Sequence, residues 1–317
     1  MNKFKQFKVE RISNSNYEAL LSDSRNVFYS KDQSGWIKFL ERYSNASRYK
    51  EIQFCSLEVN KKVIASCTLI KSELNINGEL VPFYFLTQVI TAIGFRGKGF
   101  FRELLEKVEA FVLNSGVSIL IVIARRAVSD LYWKLGFNGF SHFPVYTKKF
   151  FGDVNILEFF RPAVEGDLSN LHLSHLRSNQ LSNSKIIRSE TDWQRILNEQ
   201  ASGKHKILLL RNSLNRNYLI TRDNRVIELS SYGSTKDYEE FFLKVQHCFS
   251  ILDIGNNHPV SRYLDAKKWT YSERFEPREG HLLKIIGPIS QKIECYLGES
   301  KEQFGKYRLE ISEVDQW

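Results

Sequence analysis

With 317 residues, the chain is long enough for two domains that each bury a core, at ~150 residues per domain. Apolar residues at 42% and charged residues at 26% exclude long disorder, collagen-like sequence and coiled coil. The 45 Lys and Arg against 36 Asp and Glu leave a formal charge of +9, which suits nucleic acid, an anionic membrane surface or a polyanionic small molecule such as a nucleotide cofactor. The basic residues are dispersed, and neither a zinc-finger pattern nor an RNP-like signature occurs, so nucleic acid is not expected as the partner. The longest nearly unbroken apolar run, Val117 to Ala124, falls well short of the ~18 residues of a spanning helix. The basic start at Lys3, Lys5 and Lys8 has no apolar stretch behind it, so no secretory signal is expected. Cys55, Cys67, Cys248 and Cys295 are far apart with no CxxC pair, so neither a disulfide framework nor a metal site is expected. A cytoplasmic protein without membrane partners follows as the expectation.

In chain order, amphipathic stretches at Tyr17 to Phe28 and Ser34 to Tyr43 come first. Phe54 to Val59 and Lys62 to Lys71 predict consecutive strands, and the turn signal at Asn75 to Glu79 leads to a third, Leu80 to Thr91. After the segment Gly94 to Gly99, apolar residues Phe100, Leu104, Val108 and Phe111-Val112 recur at helical spacing until Asn114-Ser115-Gly116 stops the helix. Val117 to Ala124 then predicts a buried strand, Ser129 to Leu135 a short helix closed by Gly136, and Phe140 to Phe150 closing strands. Past residue 150 the order of elements starts over. A strand is expected at Ile156 to Phe160, a helix at Asp167 to Leu176, an element at Thr191 to Asn198, and strands at Ile207 to Arg211, Tyr218 to Thr221 and Val226 to Ser230. A helix at Lys236 to Cys248, a strand at Ser250 to Ile254, a short helix at Val260 to Lys267 and strands around Tyr271 and His281 complete the series. The second half reads as a distant copy of the first, dividing the chain into domains 1–150 and 151–317.

Chemistry concentrates between Gln88 and Phe137. Gly97 and Gly99 bracket Lys98 where a strand becomes a helix, so free backbone N–H groups and the positive end of the helix dipole converge on one spot. Arg96 and Lys98 add charge there, making a candidate anion cradle. By itself, such a turn is more often a glycine entry to a helix with solvated basic side chains.

The string Val89-Ile90-Thr91 with Arg96-Gly97-Lys98-Gly99-Phe100-Phe101 resembles motif A of the GNAT (GCN5-related N-acetyltransferase) superfamily. Leu131-Tyr132-Trp133-Lys134-Leu135-Gly136-Phe137 is similar to the family's motif B. Two motifs in the right order are far more specific than either alone, and the resemblance covers roughly residues 8 to 150. It implies an α+β fold with a mixed, mostly antiparallel central sheet and flanking helices, in two tandem units. It also implies acetyl-CoA as co-substrate, with no metal. Val89, Ile90 and Thr91 would hydrogen-bond the pantetheine arm through their backbone, and the amides of Gly97, Lys98, Gly99, Phe100, Phe101 and Arg102 would hold the pyrophosphate. Arg96 and Lys98 would face the phosphates. Tyr132 would be the general acid that protonates the departing thiolate; its other reading is a core aromatic. Phe101 departs from the family formula, which has Gly or Ala there, and Arg125 stands where many members place an Asn; Arg125 or Arg126 is then expected to meet a CoA phosphate.

A general base is not evident. Many members carry a Glu or Asp on the strand before the loop, whereas Thr87 and Gln88 stand there in this chain, and Gln88 cannot take a proton. Gln88 is assigned to orient a water, with Glu79, Glu73, His142 and the carboxylate of Trp317 as other sources of a base. The segment Tyr232-Gly233-Ser234-Thr235 has no basic glycine turn, so the second unit is expected not to bind CoA but to wall the acceptor cleft. Acyl transfer to a primary amine of a small molecule or peptide is the leading expectation. A non-catalytic CoA-binding or interaction module is the alternative, and a nucleic-acid or anionic-surface binder rests on charge alone.

Overall fold

A meander of long strands builds the first sheet: β1 (Lys5–Arg11), β2 (Ile52–Val59), β3 (Lys62–Ile76) and β4 (Glu79–Thr91), each antiparallel to the next. The computed structural model describes residues 5–11, 52–76, 78–125, 129–139, 143–147, 155–180, 184–201, 203–211, 217–223, 225–230, 235–249, 251–253, 264, 269–274 and 279–298. The expected elements at 17–28 and 34–43, most of 260–267, and the residues Arg126, His142 and Trp317 lie outside them. Asn60 and Lys61 both adopt positive φ (52° and 64°) in the β2–β3 turn, the geometry whose twist matches a tight hairpin. At the next turn, Gly78 N–H donates to Asn75 Oδ1 at 2.9 Å.

Helix α1 (Phe100–Asn114) crosses from β4 to β5 (Ile119–Arg125), and the two strands run parallel. The periodicity is expressed directly, since Leu104, Leu105, Val108 and Val112 are buried against the sheet. α2 (Ser129–Trp133), β6 (Asn138–Gly139) and β7 (Phe143–Thr147) follow. Where a strand was expected at 156–160, Ile156–Phe159 is a helical turn, α3, because the Asn155 side chain caps it by accepting from Leu157 N–H at 3.1 Å; only Phe160–Pro162 is strand, β8.

Next come α4 (Leu168–Gln180), β9 (Ser184–Ile186), α5 (Glu190–Ala201), β10 (Lys206–Leu210), β11 (Tyr218–Arg222), β12 (Arg225–Leu229), α6 (Thr235–Cys248), β13 (Ile251–Asp253), β14 (Thr270–Arg274), β15 (Glu279–Ile285) and α7 (Gln291–Gly298). Among the described residues, no helix is long and apolar enough to cross a membrane.

The first sheet has the order β1-β2-β3-β4-β5-β15-β6, with β9 attached to β3, and the second has β14-β7-β13-β12-β11-β10-β8. Both are mixed and mostly antiparallel, as expected, and in each a helix crosses between the parallel pair: α1 between β4 and β5, α6 between β12 and β13. The chain passes between the sheets on either side of residue 150. β7 sits between β13 and β14 in the second sheet, while β15 sits between β5 and β6 in the first.

The two faces of the first sheet carry separate cores. α1, α2, Cys67, Leu69, Leu86 and Val122 share one, and Ile70, Phe83, Phe85, Ile121, Ile186, Ile293 and Leu297 share the other. Residues from β9 and α7 therefore cover the face opposite α1.

Candidate functional site

Parallel pairing of β4 with β5 runs through Tyr84–Leu120, Phe85–Ile121 and Leu86–Val122 and goes no further. Beyond Leu86 the strands part. On its other edge β4 stays paired to β3, but with a bulge: Thr68 faces Thr87 and Ser66 faces Ile90, so Cys67 alone opposes both Gln88 and Val89. Gln88 takes a left-handed conformation at this bulge, with φ 51°. A non-glycine residue pays ~1 kcal/mol or more for that geometry, and such strain gathers where backbone direction serves a site. The bulge leaves the main chain of Gln88 to Thr91 with its β5-facing side without a ladder partner among the described residues.

The chain then turns. Ala92 N–H returns to Ile64 carbonyl at 2.9 Å, a short helical turn spans Ile93–Phe95, and the loop reaches α1 through Gly97 (φ 72°) and Gly99 (φ 80°). A Cβ at either glycine would meet nothing within 4 Å, so what demands glycine is the left-handed backbone rather than crowding by the protein. The first backbone bond of α1 is Glu103 N–H to Gly99 carbonyl at 3.1 Å, which leaves the amides of Phe100, Phe101 and Arg102 pointing out of the helix start. Arg96 Nε donates to Thr91 carbonyl at 3.0 Å and Lys98 Nζ to Gly94 carbonyl at 2.8 Å, so both cations are tied to the loop they charge. This cradle of amides at a helix N-terminus, flanked by two cations, has the donor set a pyrophosphate needs.

Tyr132 lies on the same face as α1, with 5% of its surface exposed. Phe101 and Phe137 meet its ring edge-on, each with centroids 5.4 Å away. The side chain of Phe101 thus belongs to the aromatic packing around Tyr132, which explains how a large residue fits at this loop position. Burial, with a smaller contribution from the nearby Cys67, pushes the Tyr132 phenol well above its ordinary range, so it stays protonated.

Of the other expected site residues, Ile90 is buried and Val89 and Thr91 are half-buried, on β4 beside the gap. Arg102 is exposed on the first turn of α1. Arg125 ends β5, opposite Glu279 of β15 in the ladder. The loop, the gap and Tyr132 are brought together, and Glu79 is not among them; it sits at the far end of β4, where its carboxylate accepts from Ser290 Oγ at 3.0 Å. The residue missed from the sequence is Thr68. Completely buried on β3, its hydroxyl donates to Gln88 Oε1 at 3.1 Å. A polar side chain inside the apolar run Ile64 to Ile70 was the available signal.

A parallel strand pair that parts beside an amide cradle and a buried, protonated phenol gives the first sheet a site with donors for an anion next to a proton source. The family model described as "Acetyltransferase (GNAT) domain" matches residues 8–139, and this part of the chain is similar to that family. Three solved structures share the fold over most of the chain. A GCN5-related N-acetyltransferase from Kribbella flavida is 14% identical with a TM-score of 0.61, covering 88% of this chain and 70% of its own. One from Anabaena variabilis is 15% identical with a TM-score of 0.63, covering 89% and 73%. Eis1 from Mycobacterium abscessus is 12% identical with a TM-score of 0.59, covering 89% and 74%. No curated protein sequence matches the chain.

Proposed function

We propose that the first unit moves an acetyl group from acetyl-CoA to a primary amine of a small molecule or peptide, with Tyr132 as general acid. The observation that carries this reading is the convergence on one face of the parted β4–β5 edge, the amide cradle at α1 and the buried Tyr132 phenol. The loop amides from Gly97 to Arg102 bind the pyrophosphate, and the unpaired backbone of Val89 to Thr91 aligns the pantetheine arm along β4. Backbone N–H at the bulge is positioned to polarise the thioester carbonyl. The amine nitrogen bonds to the acetyl carbon, the carbon–sulfur bond breaks, and its electron pair goes to sulfur. Tyr132 gives the sulfur its proton and regains one from water, while the proton released by the nitrogen leaves through a water held near Gln88.

A phenol raised above its usual range is a poor acid toward a thiolate in water. The thiolate forms in the same dry site, however, and burial raises its proton affinity too, so the two remain matched. The second unit is read as a degenerate GNAT-like copy that walls the acceptor side, supported by its like strand order and by the packing of Ile186, Ile293 and Leu297 on the face opposite α1.

Thermal stability with and without acetyl-CoA tests the cofactor reading; no shift at saturation sinks it. Thiol release with a panel of amines then measures transfer. Tyr132→Phe is expected to lower kcat about 100-fold while the KM for acetyl-CoA holds, and a fully active Tyr132→Phe removes the acid assignment. Since Gln88 cannot take a proton, a CoA-binding module without turnover is the second reading. Stabilisation by acetyl-CoA without thiol release toward any amine would favour it.

A further inference from the structure

The bulge holds a polar pair whose buried amide nitrogen the transfer step leaves unexplained. Gln88 Oε1 accepts from the Thr68 hydroxyl, while Gln88 Nε2 is buried with no hydrogen-bond partner among the described residues. A buried donor left unsatisfied costs ~1–3 kcal/mol, so a ligand that supplies an acceptor there gains by it. Fixing the oxygen end against Thr68 also fixes the direction of both amide hydrogens.

Register tells which side of the sheet this pair occupies. Directly opposed residues of an antiparallel pair share a face, and faces alternate along a strand. Leu69 and Leu86 oppose each other and belong to the α1 core; Ile70 and Phe85 oppose each other and belong to the other core. Thr68, opposite Thr87, therefore lies on the face away from α1, and the Gln88 carboxamide bonded to it is drawn to that face. The phosphate cradle and Tyr132 lie on the α1 face. A thioester threaded through the gap from the cradle presents its carbonyl carbon to the opposite face, which is where an acceptor arrives. Gln88 also stands two positions beyond the last β4–β5 pair at Leu86, where the gap opens.

We infer that Gln88 is the acceptor-side contact of the transfer site, donating Nε2–H to an oxygen (ether, hydroxyl or carbonyl) carried by the acceptor near its amine, and that Thr68 is the residue that positions it. This rests on the acetyl-transfer reading and narrows it to oxygen-bearing amines over purely alkyl ones. A neutral carboxamide neither repels a cation nor attracts it, so what selects at this point is the oxygen lone pair.

The test uses the full chain and two probes of matched length that differ by one oxygen, 2-methoxyethylamine and butylamine. Thiol release is measured for each, with kcat/KM corrected for the free-base fraction. The wild type is expected to favour the ether amine about tenfold. Gln88→Met should bring the ratio to about one. Thr68→Val should cut it about threefold, with Thr68→Ser restoring it, and acetyl-CoA KM should be constant throughout. A wild type that binds acetyl-CoA yet shows no preference, or transfers to neither amine, overturns the inference alone. So does a ratio that survives in Gln88→Met, or a Thr68→Val that matches Thr68→Ser. Absence of any acetyl-CoA stabilisation is the separate failure of the transfer reading, and it takes the inference down with it.

Discussion

Two residues beyond the last parallel pair among the described residues, the two sheets place different side chains. In the first sheet pairing ends at Leu86–Val122 and the position is Gln88; in the second the pair is Val226–Leu252 and the position is Glu228. Gln88, its oxygen bonded to Thr68, keeps an amide nitrogen without a partner among the described residues. Glu228 is filled in from within: Arg188 grips it bidentately at 2.6 Å and 2.6 Å, and the Tyr218 hydroxyl donates to it at 2.6 Å. Trp193 lies under the Arg188 guanidinium at 4.9 Å and meets the Tyr218 ring edge-on at 5.0 Å, while His175 Nδ1 is 3.0 Å from the Tyr218 hydroxyl. The corresponding position thus carries an amide nitrogen without a partner among the described residues in one sheet and a closed cluster of buried polar side chains in the other. A buried ion pair contributes little net stability against apolar residues of equal size, but once formed it cannot be opened cheaply.

The largest expected effect follows from that. Glu228→Gln leaves the Arg188 charge buried without its counterion and should cost about 3–5 kcal/mol in urea unfolding. Because β7 and β15 are exchanged between the sheets, the loss should appear as one transition, with acetyl-CoA stabilisation and tertiary fluorescence lost together. The titrated stoichiometry should stay at one acetyl-CoA per chain. Two resolved transitions, or a second binding event, would break the contrast between the two sheets.

Acid should act on the second sheet through a buried histidine. His205 is buried after α5, with Nε2 2.9 Å from the Ile196 carbonyl, and desolvation lowers its pKa from 6.5 to about 4 against the smaller opposing effects of that hydrogen bond and of Glu199. Between pH 6.5 and 4 the unfolded chain binds more protons at this residue than the folded one does. Stability from this source is therefore complete above pH 6.5 and lost as the pH falls toward 4, by up to roughly 2–3 kcal/mol. His205→Gln, which keeps a donor for Ile196, should flatten that part of the stability profile. An unchanged profile would place the acid sensitivity elsewhere.

How much of this contrast was legible in the sequence differs between its halves. The cradle was readable because its signals are local: two glycines that need positive φ, a strand before them and a helical stripe after them. Tyr132 was readable because motif B is contiguous. The exchange of strands was not. Nothing in Glu279–Ile285 says which edge it joins, since a strand's partner is chosen by a distant sequence, and β6 and β9 are too short to register as strands at all. The left-handed turn at Gln88 was equally hidden, because the usual marker of that conformation is glycine. Arg188, Tyr218 and Glu228 gave no warning either, being scattered polar residues that only the fold brings into one cluster.

The smallest effect concerns the charge excess. Lys98 is exposed, its Nζ bonded to Gly94 carbonyl and 5.7 Å from the Phe95 ring. An exposed cation beside a helix N-terminus opposes the dipole by a few tenths of a kcal/mol, a cost reversed only when an anion shares the spot. Lys98→Ala should weaken acetyl-CoA binding about threefold at low salt, and the difference should fade as ionic strength rises past the point where the Debye length drops to ~8 Å. Arg96→Ala should cost more and fade less. Its Nε also fastens the end of β4 through Thr91, so it carries a structural share that salt does not screen. Parallel loss of both differences with salt would show that the cradle works by charge alone. Differences indifferent to salt would mean that the basic side chains serve loop shape, with the amides holding the phosphates unaided.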